Sequence, residues 1–325
     1  MKVTVIGGSG FLGNSLCHEL LKSHIEFEIL DLVHPDKKFI DHYKFFDVTS
    51  SFDESIIDGD IIINLAAQHR DNVHPVSLYD EVNVGGAKNI CKIACKKEID
   101  KIIFISSVAV FGNSKNEINE DSEFNFFNDY GRTKLLAEKV FIEWYEADEE
   151  NRNLTIIRPT VIFGEKNRGN VFNLIKQIKE NKFIMIGNGK NKKSMCYVKN
   201  VAAFINFSLN HIDGKKLVNY SDKPDLEMNE LVDFINLKFN KKRWLNFYIP
   251  NSLGLSAGLF FDFLSKFFNL KLSISYIRIK KFISSSEISN ELVRKLGFKA
   301  PFSISDSLSS TIDYELKEGR FKDVS

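Results

Sequence analysis

The sequence predicts an α/β protein built on a doubly wound parallel sheet, with a smaller mixed α/β lobe at its C-terminal end. Three observations predict this. Short, apolar, β-branched runs alternate with amphipathic stretches through residue 160, the pattern of a parallel sheet with right-handed crossovers. The first such run opens directly into glycines at positions 7, 10 and 13 and then into a helix-forming stretch. After Gly164 the alternation gives way to helices separated by short strands and polar turns such as Gly187-Asn188-Gly189-Lys190. The expected division is residues 1–165 and 166–325, with the chain crossing back to the sheet.

Composition narrows the class before any motif is considered. The 325 residues are 43% apolar and 27% charged, enough for a sizeable core. A net charge of +1 gives no global field that would advertise nucleic acid as a partner. Cys17, Cys91, Cys95 and Cys196 show neither metal-ligand pairs nor a disulfide framework, so no metal is expected. Met1-Lys2 runs straight into a strand, and no uninterrupted apolar run reaches the 18 or so residues of a spanning helix. The expected location is the cytoplasm.

Lys2 to Ile6 reads as a buried parallel strand, followed by the glycine turn and a helix from Asn14 to Ser23. Glycines at 7, 10 and 13 permit a tight turn, a pyrophosphate against the backbone, and close helix–strand packing. The following helix would turn its unpaired N–H groups, starting near Phe11, Leu12 and Gly13, towards phosphate. A second strand, Phe27 to Leu30, ends in Asp31, placed to accept from ribose hydroxyls and to repel a 2′-phosphate. NAD is therefore the expected cofactor rather than NADP. Asp47 and Val48, after a third short strand, are candidates for the adenine.

Asp60 to Asn64 is the next strand, and Leu65, Ala66 and Ala67 leave room for a cofactor at its carboxyl end. A helix is expected from about 79 to 97, then a strand from Lys101 to Ser106. Ser106 and Ser107 crown that strand, where a hydroxyl can hold a substrate hydroxyl or carbonyl. A helix from Asp129 to Tyr145 carries Tyr130 and Lys134, four residues apart and so on one face. A lysine ammonium near a phenol would lower the tyrosine pKa and suit it to proton transfer. Leu154 to Arg158, closed by Pro159, is a further strand.

In the C-terminal lobe, helices are expected near 170–180, 200–210 and 227–239, with strands at 183–186 and 217–219. Two more helices should flank Gly297-Phe298. The stretch Asn251 to Phe268 is unusually apolar, with Gly258, Asp262, Ser265, Lys266 and Asn269 as its polar stripe. Basic residues flank it: Lys241, Lys242 and Arg243 before, Lys271, Arg278, Lys280 and Lys281 after. Such a helix suits either a surface of anionic lipid or a protein core.

The glycine turn, Asp31, Asn64-Leu65-Ala66-Ala67, Ser106-Ser107, Tyr130-x-x-x-Lys134 and Arg158-Pro159 occur in one order along one sheet. Together they resemble the extended short-chain dehydrogenase/reductase family of nucleotide-sugar epimerases and dehydratases. The resemblance implies a Rossmann-type fold, with Tyr130 as catalytic acid/base, Ser107 as the catalytic hydroxyl, and Lys134 on the nicotinamide ribose. Asn83 matches an asparagine near the cofactor. Val108-Ala109 stand where dehydratases place an acidic pair, which points away from dehydration.

Closer similarity lies in Gln68-His69-Arg70-Asp71-Asn72-Val73, Thr160-Val161-Ile162-Phe163-Gly164-Glu165 and Arg278-Ile279-Lys280-Lys281-Phe282. These resemble the bacterial epimerases acting on N-acetylglucosamine linked through diphosphate to undecaprenol, for O-antigen assembly. The implied reaction is 4-epimerisation. Thr160 and Val161 stand where many nucleotide-sugar epimerases carry a diphosphate-holding asparagine, which argues against a nucleotide pocket. A UDP-sugar epimerase and a 4-keto-sugar reductase are the alternatives. Lys193 and Arg278 match basic positions for the substrate diphosphate, with Asn170 and Arg168 as further candidates and His69 as a wall residue. The implied partners are a lipid-linked sugar diphosphate, a membrane surface touched through Asn251 to Phe268, and a second copy in a homodimer.

Overall fold

The computed structural model describes residues 1–50, 54–70, 73–112, 114, 116–241, 248–268 and 275–318. Asp71, Asn72, Lys242, Arg243, Asn269 and Lys271, named above, lie outside the described residues. The N-terminal half runs β1 (Lys2–Ile6), α1 (Phe11–Lys22), β2 (Glu26–Asp31), β3 (Tyr43–Phe45), β4 (Ile61–Asn64) and α2 (Ser77–Tyr79). It continues with α3 (Gly86–Lys96), β5 (Lys101–Ile105), α4 (Asp129–Glu146), β6 (Asn153–Pro159) and β7 (Val161–Phe163). Next come α5 (Asn170–Lys179), β8 (Met185–Ile186), β9 (Lys192–Tyr197), α6 (Val198–His211), β10 (Lys215–Tyr220), β11 (Asp222–Glu227) and α7 (Met228–Lys238). The C-terminal elements are β12 (Tyr248–Ile249), α8 (Asn251–Phe268), α9 (Tyr276–Ile283), α10 (Glu291–Lys295) and α11 (Ile304–Lys317).

Seven strands form one parallel sheet in the order β10-β6-β5-β4-β1-β2-β3. The order reverses between β1 and β4, which opens a crevice at the carboxyl ends of those strands. Because both faces are covered, successive strand residues serve opposite cores. Val3, Val5, Ile29, Ile103 and Ile157 pack with Leu16 and Leu20 of α1 and Phe204 of α6. Ile6, Leu30, Ile62, Phe104 and Ile156 pack with Ile90 of α3 and Phe141 and Trp144 of α4. This is why the strands read as continuous apolar runs rather than alternating ones.

The chain does cross back to the sheet. Residues of α6 pack on α1, and β10 pairs in parallel with β6, so 198–220 joins the first core although it lies beyond residue 165. The rest of the lobe has its own core, including Ile175, Met195, Tyr197, Leu231 and Ile312.

Several boundaries differ from expectation for physical reasons. α1 begins at Phe11 rather than Asn14, because Gly13 sits in its first turn with a would-be Cβ only 2.5 Å from Gly8 Cα. The helix expected over 79–97 is broken: one α turn leads into a π-helical stretch, Asp80–Gly85, before α3 resumes. π-Bulges of this kind re-aim side chains and are frequent at functional sites. The strands β7, β9 and β11 form a second, three-stranded sheet that the sequence did not announce.

Candidate active site

The glycine turn does what its spacing requires. Gly7 has φ +79°, and a Cβ there would stand 2.7 Å from Ala66 N, so the β1 and β4 turns meet backbone to backbone. Gly10 is the N-cap of α1 and offers no side-chain cap, which leaves the N–H groups of Phe11, Leu12 and Gly13 without helical acceptors. Asp31 closes β2 with one carboxylate oxygen accepting from Ser9 N at 3.0 Å and the other from Val33 N at 3.2 Å. Ser9 was not anticipated; its amide ties the glycine turn to the acidic residue.

Further along the crevice, Asp47 accepts from both the backbone N–H and the hydroxyl of Thr49, at 2.8 and 2.7 Å. Burial works to raise its pKa, but these bonds outweigh it and hold the carboxyl below its usual value. Val48 is buried against Gly86, and its carbonyl accepts from Asn89. Leu65, Ala66 and Ala67 line the carboxyl end of β4. Asn83 is held by protein: its Oδ1 accepts from Gln68 N, and its Nδ2 donates to Gln68 O and Thr133 Oγ1. It clasps the loop after β4 to α4, as the π-helical turn permits.

The chemistry-bearing residues gather at the end of β5. Ser107 opens a short 3-10 turn, with its Oγ accepting from Ala109 N at 3.2 Å. Asn128 caps α4, accepting from Gly131 N at 2.9 Å, and Gly131 packs against Ala109 O so closely that a Cβ would stand at 2.5 Å. This close approach sets the Tyr130 phenol towards the Ser107 hydroxyl. Burial raises the Tyr130 pKa, and the nearby Ser107 hydroxyl pulls against it.

Lys134 stands one turn on, fully buried, its Nζ donating to Ile105 O at 2.5 Å and lying 4.2 Å from the Phe104 ring centroid. Burial pushes its amine down to about 7, opposed by Glu138. The Tyr130 phenol is shifted upwards by burial, and the Lys134 amine donates to the end of β5. Glu138 completes a line of three on α4. It holds Arg158 through bonds of 2.9 and 2.7 Å, both residues being almost wholly buried. The spacing of Lys134 and Glu138, four residues on one helix face, was the available signal for this pair.

Ser106 Oγ is buried without a hydrogen-bond partner among the described residues, as are Thr160 Oγ1 and both amide atoms of Asn219. All stand at the carboxyl ends of β5, β6 and β10, beside Pro159. With the glycine turn, the Asp31 carboxylate and this polar floor, the residues present fit a dinucleotide lying across the crevice. Among the described residues no cluster of His, Cys, Asp and Glu could hold a metal ion.

The expected diphosphate contacts divide. Lys193 is half-buried, and its Nζ donates to Lys281 O at 2.8 Å and to Ser284 O, capping the C-terminal end of α9. Burial lowers its amine to about 8. Arg278 lies exposed on α9, and Asn170 is exposed at the start of α5. Arg168 pairs with Glu315 at 2.9 Å. His69 is exposed beside Ala67 O.

Comparison with known proteins agrees with this geometry. Residues 3–220 match the NAD dependent epimerase/dehydratase family. Over 99% of its length the chain is 41% identical to an N-acetyl-alpha-D-glucosaminyl-diphospho-ditrans,octacis-undecaprenol 4-epimerase of Escherichia coli O157:H7, covering 97% of that protein. It is 26% identical to a UDP-glucose 4-epimerase of Vibrio cholerae, over 74% of this chain and 77% of that one. In fold it is similar to the UDP-glucuronic acid 4-epimerase of Bacillus cereus solved with NAD, with a TM-score of 0.76, 19% identity, and 98% and 99% of the two chains covered. The chain belongs to the NAD-dependent epimerase/dehydratase family.

Proposed function

We propose that this protein is an NAD-dependent 4-epimerase that interconverts N-acetylglucosamine and N-acetylgalactosamine carried on undecaprenyl diphosphate. The observation that carries the chemistry is the gathering of Ser107 and Tyr130 at the carboxyl end of β5, one helical turn from the buried Lys134. The identity to the E. coli relative across the whole chain supports the lipid-linked substrate.

Bound NAD supplies the hydride acceptor and donor for C4 of the sugar. The chain's residues manage the proton and the oxygen. Tyr130 takes the C4 hydroxyl proton as the carbon is oxidised to a ketone, which requires the positive charge of bound NAD to offset the burial that raises the phenol's pKa, and Ser107 holds the same oxygen through its hydroxyl. Tyr130 returns the proton after the ketone has turned over and been reduced on its other face. No net oxidation results, so no external reductant is consumed. Asp31 selects NAD through its carboxylate, and Lys134 supports the ribose and the charge balance beside Tyr130.

The membrane side of the reading rests on α8. Its glycines face the protein: a Cβ on Gly254 would meet Ile186 at 2.5 Å, and one on Gly258 would meet Tyr276 at 2.8 Å. Most of its phenylalanines face outwards, with Phe260, Phe263 and Phe267 exposed at 58, 62 and 71% and Phe261 half-buried. A helix packed inside-out in this way buries its small residues and presents an apolar face. None of the helices among the described residues is long and apolar enough to cross a membrane. We assign α8 to peripheral contact with the inner face of the cytoplasmic membrane.

The test is parallel incubation of pure protein and NAD with lipid-linked and UDP-linked N-acetylglucosamine. Conversion of the lipid-linked sugar supports the reading; conversion of the UDP-sugar alone overturns it.

A further inference from the structure

We propose that Phe126, Phe127 and Ile277 form an apolar track that carries the isoprenoid chain of the substrate from α8 to the mouth of the catalytic site. The proposal rests on the lipid-linked reading above and adds a binding subsite to it. It starts from the segment just before the catalytic helix. Asn125 N donates to Val110 O at 3.2 Å, and a Cβ on Gly131 would stand 3.0 Å from Phe126 Cβ. The backbone here is therefore pinned to the Ser107 turn and to the first turn of α4. Its side chains are not buried by that pinning. Phe124, Phe126 and Phe127 are 46, 40 and 47% exposed, within six residues of Tyr130.

Single exposed aromatics are ordinary, but a cluster rimming a polar site is not. Phe124 has a structural explanation, since it stacks on Phe111 and lies 5.2 Å from the Arg158 guanidinium. Phe126 and Phe127 do not share it. The Phe127 ring instead receives the Lys281 ammonium at 4.0 Å, a contact from α9. Ile277 is one helical turn before Lys281, on the same face of α9, and is 62% exposed. α9 then joins α8 directly: Tyr276 N donates to Asp262 Oδ2 at 3.0 Å, and Gly258 packs on Tyr276.

α9 thus links α8, which packs on it through Gly258 and Asp262, to Phe127, three residues before Tyr130, with Ile277 exposed on the helix between them. The charge along the path is complementary. Lys281, over the Phe127 ring at the inner end, is a cation placed where the isoprenoid chain would meet its diphosphate, and Arg278 is exposed on the same helix. A nucleotide sugar, whose diphosphate continues into a polar nucleoside, would gain nothing from such a path. The capping of α9 by Lys193 and Asn191 fixes the path in register with the catalytic loop.

The experiment compares kcat/KM for undecaprenyl-diphosphate-linked N-acetylglucosamine with that for the same sugar diphosphate on a short, water-soluble prenyl chain. In the double variant F126S/F127S the long-to-short ratio should fall at least about tenfold, mainly through KM, as expected for loss of a large apolar contact. I277S, on α9 rather than on the segment that leads into α4, should lower the ratio in the same direction and guards against a folding defect in the double variant. Liposome binding should persist in both, which separates the track from membrane adhesion. An unchanged ratio, or equal loss on both substrates, would overturn the track while leaving the epimerase reading intact. A parent protein that converts only UDP-sugars would instead defeat the functional reading on which the track rests.

Discussion

Lys193 donates its ammonium to the carbonyl of Lys281 at 2.8 Å, 88 residues further along the chain. A residue whose charge suggested a substrate phosphate is thus holding the end of a helix. Replacing it by methionine takes one donor from the half-buried carbonyls of Lys281 and Ser284, which keep Ser284 Oγ at 3.0 Å and Asn191 Nδ2 at 3.5 Å, a loss of about 1 kcal/mol. The expected outcome for Lys193→Met is a lower Tm together with a raised KM, and thermal unfolding read beside kinetics checks it. A raised KM at unchanged Tm would make Lys193 a phosphate ligand after all.

Tyr130→Phe should fold and bind NAD, because the ring remains and only the hydroxyl is lost. Turnover should fall by about 10²–10⁴-fold, the usual effect of removing one acid/base group. Retention of more than a tenth of the parent rate would remove Tyr130 from the mechanism.

Lys134 gives a pH signature in the folded protein without cofactor. Its amine titrates near 7 when folded and near the ordinary lysine value of 10.5 when unfolded. Between those values the unfolded chain holds more protons, so stability should rise with pH from about 7 upwards. Above pH 9.0 the buried thiols Cys17, Cys91 and Cys196, whose pKa values are raised by burial, pull the other way. Denaturant unfolding at several pH values between 7 and 9 should therefore show a rise that is shallower in Lys134→Met, which keeps only the part due to Lys193, lowered to about 8. Parallel curves for the two proteins would mean that the amine is not depressed.

Replacing Phe260, Phe263 and Phe267 by serine should release the protein from anionic liposomes. Tm should barely move, since these side chains are exposed. A large drop in Tm would make α8 part of the core, and an absence of liposome binding by the parent would remove the membrane contact.

Much of the sheet was legible because its strands are buried on both faces. Runs such as Ile61-Ile62-Ile63 and Ile102-Ile103-Phe104 have no other place to go. The glycine turn and the Tyr130–Lys134 spacing were legible because their chemistry is local. β9 and β11 were not. Lys192-Lys193-Ser194 and Asp222-Lys223-Pro224-Asp225 are polar, and only pairing with each other and with β7 makes them strands. The π-helical turn at Asp80–Gly85 was hidden for a related reason: its stabilising partners, Thr133 and Gln68, come from distant segments. The role of Lys193 depends on where α9 ends, which no local pattern states.

The central claim is a redox round trip on a lipid-linked sugar, and one labelled substrate tests it most directly. Undecaprenyl-diphosphate-linked N-acetylglucosamine carrying deuterium at C4 is incubated with pure protein and NAD, without reductant, and the product is read by mass spectrometry. The account predicts N-acetylgalactosamine on the same lipid with the deuterium retained at C4. Loss of the label to solvent hydrogen, or no conversion where the UDP-linked sugar is converted, would contradict it.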